Sequence, residues 1–221
     1  MCTKTIEDVM ALAPVIPVLT IEHVDDAVPL ARALVRGGLP ALEITLRTEA
    51  ALPAIAAIAG EVSGAVPGVG TVTTAEDLAA ARAAGAQFAV SPGFAADLVA
   101  AAGDLPYLPG IATASEAMAA QRAGLRFLKF FPAEAMGGRK TLAALAGPYP
   151  RLIFCPTGGV GPDNAADYLA LKNVRCVGGS WVAPSHAVAE AQWEVIEALA
   201  AKAAALTATS VQSKIAGRDC K

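Results

Sequence analysis

The sequence predicts an α/β protein of the (β/α)8 TIM-barrel class, small for that class, with a short helix before its first strand. Short apolar runs alternate with longer segments of helical periodicity, and the runs number eight. Such alternation is typical of parallel sheets, and eight units within 221 residues favour a closed barrel. A doubly wound sheet is the alternative, although no G-x-G-x-x-G follows the first run. We expect a single domain over residues 1–221.

The predicted elements follow from these runs and from the turn residues between them. The strand candidates are 14–19, 41–46, 67–72, 86–91, 106–111, 126–131, 152–156 and 174–179. The clearest helix candidates are 24–37, 74–85, 115–124 and 161–171. Ser115 is expected as an N-cap, and Pro162 in a first helical turn. Residues 2–12 predict a helix that caps the barrel floor, and the polar segment 207–221 is expected to fray.

Composition and charge exclude several classes of protein. Hydrophobic residues make up 55% and charged residues 17%, which excludes a disordered chain. The net charge is −3 without a basic cluster, so a nucleic-acid partner is not expected. No apolar run reaches the roughly 18 residues of a membrane span, and no signal peptide is recognisable. The four cysteines match no metal or redox spacing, so we expect a cytoplasmic protein with reduced thiols.

Lys129 is the first candidate for chemistry, because active sites of barrels lie at the C-terminal ends of the strands. In RFLKFF (126–131), the strand period of two places Lys129 on one face with Phe127 and Phe131. Loss of hydration there disfavours the charged ammonium, and attack on a carbonyl requires the neutral amine. The alternative is a structural lysine paired with a carboxylate. We interpret Lys129 as a catalytic nucleophile.

Glu43 and Arg47 share one face of the run ALEITLR (41–47), together with Thr45. Glu43 is therefore expected in the barrel interior, where it could pair with Lys129 or transfer protons. Arg47 is expected at the rim, where a guanidinium can bind a carboxylate bidentately. A purely structural Glu–Lys pair and a solvated Arg47 are the alternatives.

Two glycine pairs follow the last two predicted strands. PTGG (156–159) and GGS (178–180) lie where barrels often bind phosphate. The backbone N–H groups of Gly158 and Gly159, the N-terminus of the next helix and the Ser180 hydroxyl are candidate anion ligands. A plain turn is the alternative for each pair.

Two other strand ends carry candidate pocket residues. Thr71 follows GVG at the end of the third strand, where it would place a hydroxyl near Lys129. Pro92 lies in SPG after the fourth strand and would stiffen the pocket wall. A plain turn is again the alternative for both.

These segments resemble the 2-dehydro-3-deoxy-6-phosphogluconate (KDPG) and 4-hydroxy-2-oxoglutarate (KHG) aldolase family. The matching stretches run in family order from residue 14 to about 184: PALEITLRTE, GVGTV, VSPG, LKFFPAE, FCPTGG and CVGGSW. LKFFPAE combined with FCPTGG is highly specific. The one departure, Val69 where the family usually has Ala, removes no functional atom.

The resemblance implies a lyase of the Entner–Doudoroff pathway that cleaves KDPG to pyruvate and D-glyceraldehyde 3-phosphate, and KHG to pyruvate and glyoxylate. It implies Lys129 as the Schiff-base lysine of a class I aldolase and Glu43 as its general acid/base. The substrate-binding residues that it implies are Arg47, Thr71, Pro92, Phe131, Gly158, Gly159 and Ser180. It also implies no cofactor, no metal, a small 2-oxo acid as the binding partner, and a homotrimer.

Two other functions compete with this interpretation. The first is a phosphate-binding barrel enzyme without a covalent step, similar to those of thiamine-phosphate synthesis. Such chemistry uses magnesium held by carboxylates, whereas the predicted strand ends offer only Glu43. The second is a non-catalytic assembly module, which has no need for Lys129, Glu43 and Arg47 together.

Overall fold

Residues 5–206 are described by the structure, a computed structural model. Its strands are β1 (Val15–Leu19), β2 (Ala41–Thr45), β3 (Val66–Gly70), β4 (Phe88–Val90), β5 (Tyr107–Leu108), β6 (Gly110–Ile111), β7 (Phe127–Phe130), β8 (Ile153–Pro156) and β9 (Val177–Gly179). Its helices are α1 (Ile6–Ala11), α2 (Val24–Arg36), α3 (Ala51–Glu61), α4 (Ala75–Ala83), α5 (Ala96–Ala102), α6 (Ala114–Arg122), α7 (Gly138–Leu145), α8 (Ala165–Leu169), α9 (Ser185–Ala189) and α10 (Trp193–Ala204). The segment 207–221, predicted to fray, lies outside the described residues.

The strands form two parallel sheets, with the orders β5-β4-β3-β2-β1-β9 and β6-β7-β8. Only Pro109 separates β5 from β6, and proline has no N–H to donate to a ladder. At the other edge, the isolated bridges Phe154–Val174 and Thr157–Gly178 join β8 to the segment that carries β9. The two sheets thus meet at both edges, which is consistent with a TIM-like barrel.

The predicted helix starts need two corrections. The N-cap of α6 is Thr113 rather than Ser115, because the Thr113 hydroxyl accepts from the Glu116 amide while the Glu116 carboxylate accepts from the Thr113 amide. Helix α8 begins at Ala165 after Asn164, so Pro162 lies before the helix and not in its first turn. Helices α2 and α4 agree with their predicted segments.

The core consists of two hydrophobic clusters, which lie on the two alternating faces of the strands. Outward-facing residues such as Leu42 and Leu128 pack beneath the helices in the larger cluster. Inward-facing residues such as Ile16 and Cys155 form a smaller cluster with Val9 and Met10, which are buried on α1. This inner cluster packs α1 against the inward-facing residues of the strands.

None of the helices between residues 5 and 206 is both long and apolar enough to cross a bilayer.

Candidate active site

A buried ion pair lies in the interior formed by the strands. Lys129 on β7 and Glu43 on β2 approach across 86 residues of sequence, with Nζ 2.9 Å from Oε1. Their side chains are only 7% and 4% exposed. Charges removed from water in this way require a partner, and each of these two groups supplies it for the other. The structure therefore brings together the two residues that the sequence singled out separately.

The aromatic surroundings of Lys129 differ from those predicted. The Phe131 ring centroid lies 5.2 Å from Nζ, a distance at which an ammonium is attracted to a ring face. Phe127 instead packs against the inner cluster, and the Arg126 guanidinium lies 5.4 Å from its ring centroid. Lys129 is thus flanked by one aromatic ring and not by two.

The end of β3 closes tightly around Glu43. A methyl group at Gly70 would lie 2.5 Å from Glu43 Oε1, so the absence of a side chain at residue 70 makes room for the carboxylate. Thr71 follows with φ of 63°, a left-handed conformation that is strained for a β-branched residue. Such strain costs about 1–3 kcal/mol and clusters at functional sites. The partly buried Thr71 hydroxyl makes no hydrogen bond within residues 5–206.

Arg47 and Pro92 both lie at the rim. Arg47 follows β2 and is exposed, and its guanidinium makes no hydrogen bond or ion pair to the described part of the chain. Pro92 follows β4 and is also exposed, but its backbone packs against Gly110, where a methyl group would lie 2.2 Å from the Pro92 carbonyl oxygen. Arg47 is therefore free to meet an anion, and Pro92 belongs to a closely packed wall.

The loop after β8 has the geometry of an anion cradle. Gly158 and Gly159 adopt φ of 96° and 77°, left-handed conformations that glycine adopts readily, and the bridge between Thr157 and Gly178 joins the start of this loop to β9. The Asn164 side chain stabilises this loop, because it donates a hydrogen bond to the Gly159 carbonyl oxygen and accepts one from the Gly161 amide. The sequence also predicted that the N-terminus of the next helix would help to bind an anion at this loop. The structure does not place it there, because α8 starts only at Ala165 and spans five residues.

Ser180 lies at the end of β9, which is joined to β8 by the bridge between Thr157 and Gly178. It directly follows β9, is exposed, and lines a cavity of about 630 Å³ together with Trp181, Val18 and Thr20. The Trp181 ring covers Gly179 so closely that a methyl group there would overlap it. The cavity therefore lies between the end of β1 and the segment that follows β9, and the Ser180 residue lines it.

Three polar residues of this region were missed at the sequence level. Thr157 is 5% exposed and shares the inward face of its strand with Cys155, so the period of two could have indicated it. Glu134 accepts a hydrogen bond from the Tyr168 hydroxyl and packs against Gly159. Burial, followed by this hydrogen bond, raises the pKa of Tyr168. Glu134 and Tyr168 together brace the glycine loop.

Cys155 and Cys176 are free, buried thiols of the inner cluster. A hydrogen bond with Cys155, followed by burial, raises the pKa of Cys176. The Cys176 thiol therefore packs as a small apolar group in the protonated form. Within residues 5–206, no three His, Cys, Asp or Glu side chains are grouped as metal ligands.

Comparison with known proteins identifies close relatives of this chain. The family model for KDPG and KHG aldolase matches residues 6–199. A 2-dehydro-3-deoxy-phosphogluconate aldolase of Pseudoalteromonas atlantica is 53% identical over 201 residues, which cover 90% of this chain and 94% of that protein. A KHG/KDPG aldolase of Escherichia coli strain K12 is 50% identical, covering 89% and 93% respectively.

A solved structure extends the similarity to the fold. The KDPG aldolase of Legionella pneumophila, crystallised with pyruvate captured at low pH as a covalent carbinolamine intermediate, has a TM-score of 0.88 and 42% identity. The similarity covers 90% of this chain and 98% of that one.

Proposed function

Because the chain belongs to the KDPG and KHG aldolase family of aldehyde-lyases, we propose that it cleaves KDPG to pyruvate and D-glyceraldehyde 3-phosphate through a Schiff base on Lys129. The observation that carries this proposal is the buried 2.9 Å contact between Lys129 Nζ and Glu43 Oε1. It places an amine nucleophile and a proton acceptor within one hydrogen bond of each other, away from solvent.

The first half of the reaction uses this contact directly. Lys129 transfers a proton to Glu43, and the neutral amine attacks the C2 ketone to give a carbinolamine. Glu43 returns the proton to the departing hydroxyl, so that water leaves and an iminium ion remains. In the Legionella relative, pyruvate is captured as a carbinolamine, which is the product of the same addition.

The second half breaks the C3–C4 bond. The Glu43 carboxylate, through a water molecule, accepts the proton of the C4 hydroxyl, and the bond electrons flow into the iminium to form an enamine. Glyceraldehyde 3-phosphate departs. Protonation of the enamine at C3 and hydrolysis of the imine release pyruvate and the free Lys129.

The remaining site residues would bind the two ends of the substrate. Arg47 and Thr71 would hold the carboxylate of the pyruvate half, since a guanidinium pairs bidentately with a carboxylate. Gly158 and Gly159 would donate their backbone N–H groups to the phosphate, and Ser180 would add its hydroxyl. Phe131 and Pro92 would line the pocket, consistent with the ring contact to Lys129.

Borohydride trapping tests the covalent step. Incubation with pyruvate and borohydride should attach an N-(1-carboxyethyl) group to Lys129, located by peptide mass spectrometry. Lys129→Arg should abolish both adduct and turnover while the chain still folds, whereas Lys172→Arg, at an exposed lysine of the same chain, should retain both. An active wild type without an adduct on Lys129 would contradict the Schiff-base mechanism.

KHG is a second candidate substrate, because an Escherichia coli relative at 50% identity is named for both activities. It shares the 2-oxo acid end that Lys129, Arg47 and Thr71 would bind, and it lacks the phosphate. Steady-state kinetics with both substrates would establish the preference. EDTA sensitivity would favour a metal-dependent reaction instead, and inactivity towards a broad set of 2-oxo acids would favour a scaffold.

We propose the finer architecture on the same basis. Counting β5 and β6 as one interrupted strand gives eight strands of a (β/α)8 barrel, with α1 as the cap of its floor and a single domain over residues 1–221. We further propose a cytoplasmic homotrimer that acts in the Entner–Doudoroff pathway without a cofactor. Light scattering in solution would test the trimer, which should have three times the chain mass of 22.2 kDa.

A further inference from the structure

Two threonine hydroxyls form a short relay at the ends of β1 and β2. The Thr45 hydroxyl donates to the Leu19 carbonyl oxygen at 2.9 Å. Thr20 Oγ1 lies 3.1 Å from Thr45 Oγ1. The two strands are in register here, because Val18 pairs with Glu43 two residues before Thr20 and Thr45. Thr45 therefore shares a strand face with Glu43 and lies nearer the C-terminal end of the strands.

The direction of the relay follows from counting protons. A hydroxyl carries one proton, and the Thr45 proton is committed to a carbonyl, which can only accept. Thr20 must consequently donate to Thr45. Thr45 is 1% exposed, so water does not replace its carbonyl acceptor. Thr20 Oγ1 is left with lone pairs and no proton for any further partner.

The free side of Thr20 faces the cavity of about 630 Å³ that also contacts Val18, Ser180 and Trp181. Val18 is paired in register with Glu43, whereas Ser180 is the residue proposed above for the phosphate. Thr20 therefore lines one cavity with Ser180 and stands two residues beyond the β1 position that pairs with Glu43. A substrate bound between Lys129 and Ser180 would bring the carbons beyond the cleaved bond near Thr20.

We propose that Thr20 is a specificity-determining residue that accepts a hydrogen bond from a substrate hydroxyl beyond C4. This inference rests on the proposed function. KDPG carries a C5 hydroxyl at that distance, which can donate. KHG has a carboxylate at C5, which carries no proton to donate. Its oxygens would face only the lone pairs of Thr20 Oγ1. The relay therefore selects the hydroxylated six-carbon substrate over the dicarboxylate.

Kinetics of two Thr20 variants test this role. Thr20→Val keeps the shape and removes the acceptor, so kcat/KM for KDPG should fall about threefold to tenfold while that for KHG stays or rises. Thr20→Ser keeps the hydroxyl and should retain the wild-type ratio. Ser63→Ala, at an exposed residue on the opposite end of the strands, should change neither rate.

Thr45→Val provides a test of opposite sign. Without Thr45, the Thr20 proton is released and can be donated to a carboxylate, so kcat/KM for KHG should rise relative to KDPG. A Thr20→Val enzyme that turns over both substrates in the wild-type ratio, or loses both equally, overturns this inference alone. A wild type that turns over neither substrate contradicts the proposed function and the inference with it.

Discussion

Gly70→Ala tests whether the position of the Glu43 carboxylate, and not its presence alone, determines activity. Gly70 ends β3, and its φ does not lie in the left-handed region, so alanine fits the backbone. The added methyl group would lie 2.5 Å from Glu43 Oε1 and 2.7 Å from its Cγ. Ordinary contacts begin near 3.4 Å. The substitution therefore displaces the Glu43 carboxylate. It removes no ionisable side chain from the site.

The size of the effect follows from these distances. The carboxylate must move by about 0.9 Å to reach ordinary contact, which is enough to disrupt its 2.9 Å hydrogen bond to Lys129. A misplacement of about 1 Å in a catalytic group costs on the order of a hundredfold in rate. Overpacking of a filled core costs about 1–3 kcal/mol in the free energy of unfolding, so the protein should still fold.

The assay follows pyruvate release from KDPG, with the melting temperature measured on the same preparations. Gly60→Ala is the matched control, since Gly60 is exposed on α3 and a methyl group there meets nothing within 4 Å. It should retain full activity and gain about 0.5–1 kcal/mol in stability. A folded Gly70→Ala enzyme with more than half of the wild-type kcat would refute the claim that this contact positions Glu43.

Three further predictions concern stability. Thr113→Ala removes the capping box with Glu116 and should lower the free energy of unfolding by about 1 kcal/mol, or the melting temperature by about 2–4 °C, with activity retained. Gly178→Ala would place a methyl group 2.3 Å from Thr157 Oγ1 and should destabilise the fold by about 1–3 kcal/mol, partly restored by adding Thr157→Ala. The pKa of Tyr168 is raised in the folded state, so its contribution to the free energy of unfolding is fully present below about pH 10. Above that pH the contribution should fall by up to about 1.4 kcal/mol per pH unit. Tyr168→Phe should make this alkaline loss of stability smaller.

Each of these predictions has a contrary outcome. An unchanged melting temperature for Thr113→Ala would show that water replaces the cap. A Gly178→Ala protein that the second substitution does not stabilise would place the clash elsewhere. Equal alkaline slopes for the wild type and Tyr168→Phe would assign the loss to other groups, such as Tyr107, whose pKa burial also raises.

The inward-facing residues of β2 and β7 were predictable from the sequence because a strand has a fixed period of two. Alternation alone placed Glu43 and Lys129 on interior faces. It did not give the 2.9 Å distance between them, since they lie on strands that are not neighbours in the sheets and meet only across the interior. The strand faces allowed such a pairing, and the resemblance to the aldolase family implied complementary roles for the two residues.

Other differences arise where local signals compete. Thr113 and Ser115 both offer a capping hydroxyl, and the position of Glu116 three residues after Thr113 decides between them. That signal was present in the sequence. The Thr20–Thr45 relay carried no such signal, because its direction depends on a backbone carbonyl of a neighbouring strand.

The inner cluster packs Val9 and Met10 of α1 against inward-facing strand residues such as Ile16 and Cys155. With α1 as the cap of the barrel floor, as proposed above, water and products would exchange at the C-terminal end of the strands. The three carbons bonded to Lys129 would occupy the deepest part, and the aldehyde half would lie between them and the exit. Product release is then ordered: the aldehyde must leave first, and the hydrolytic water must enter along the path that the aldehyde vacates.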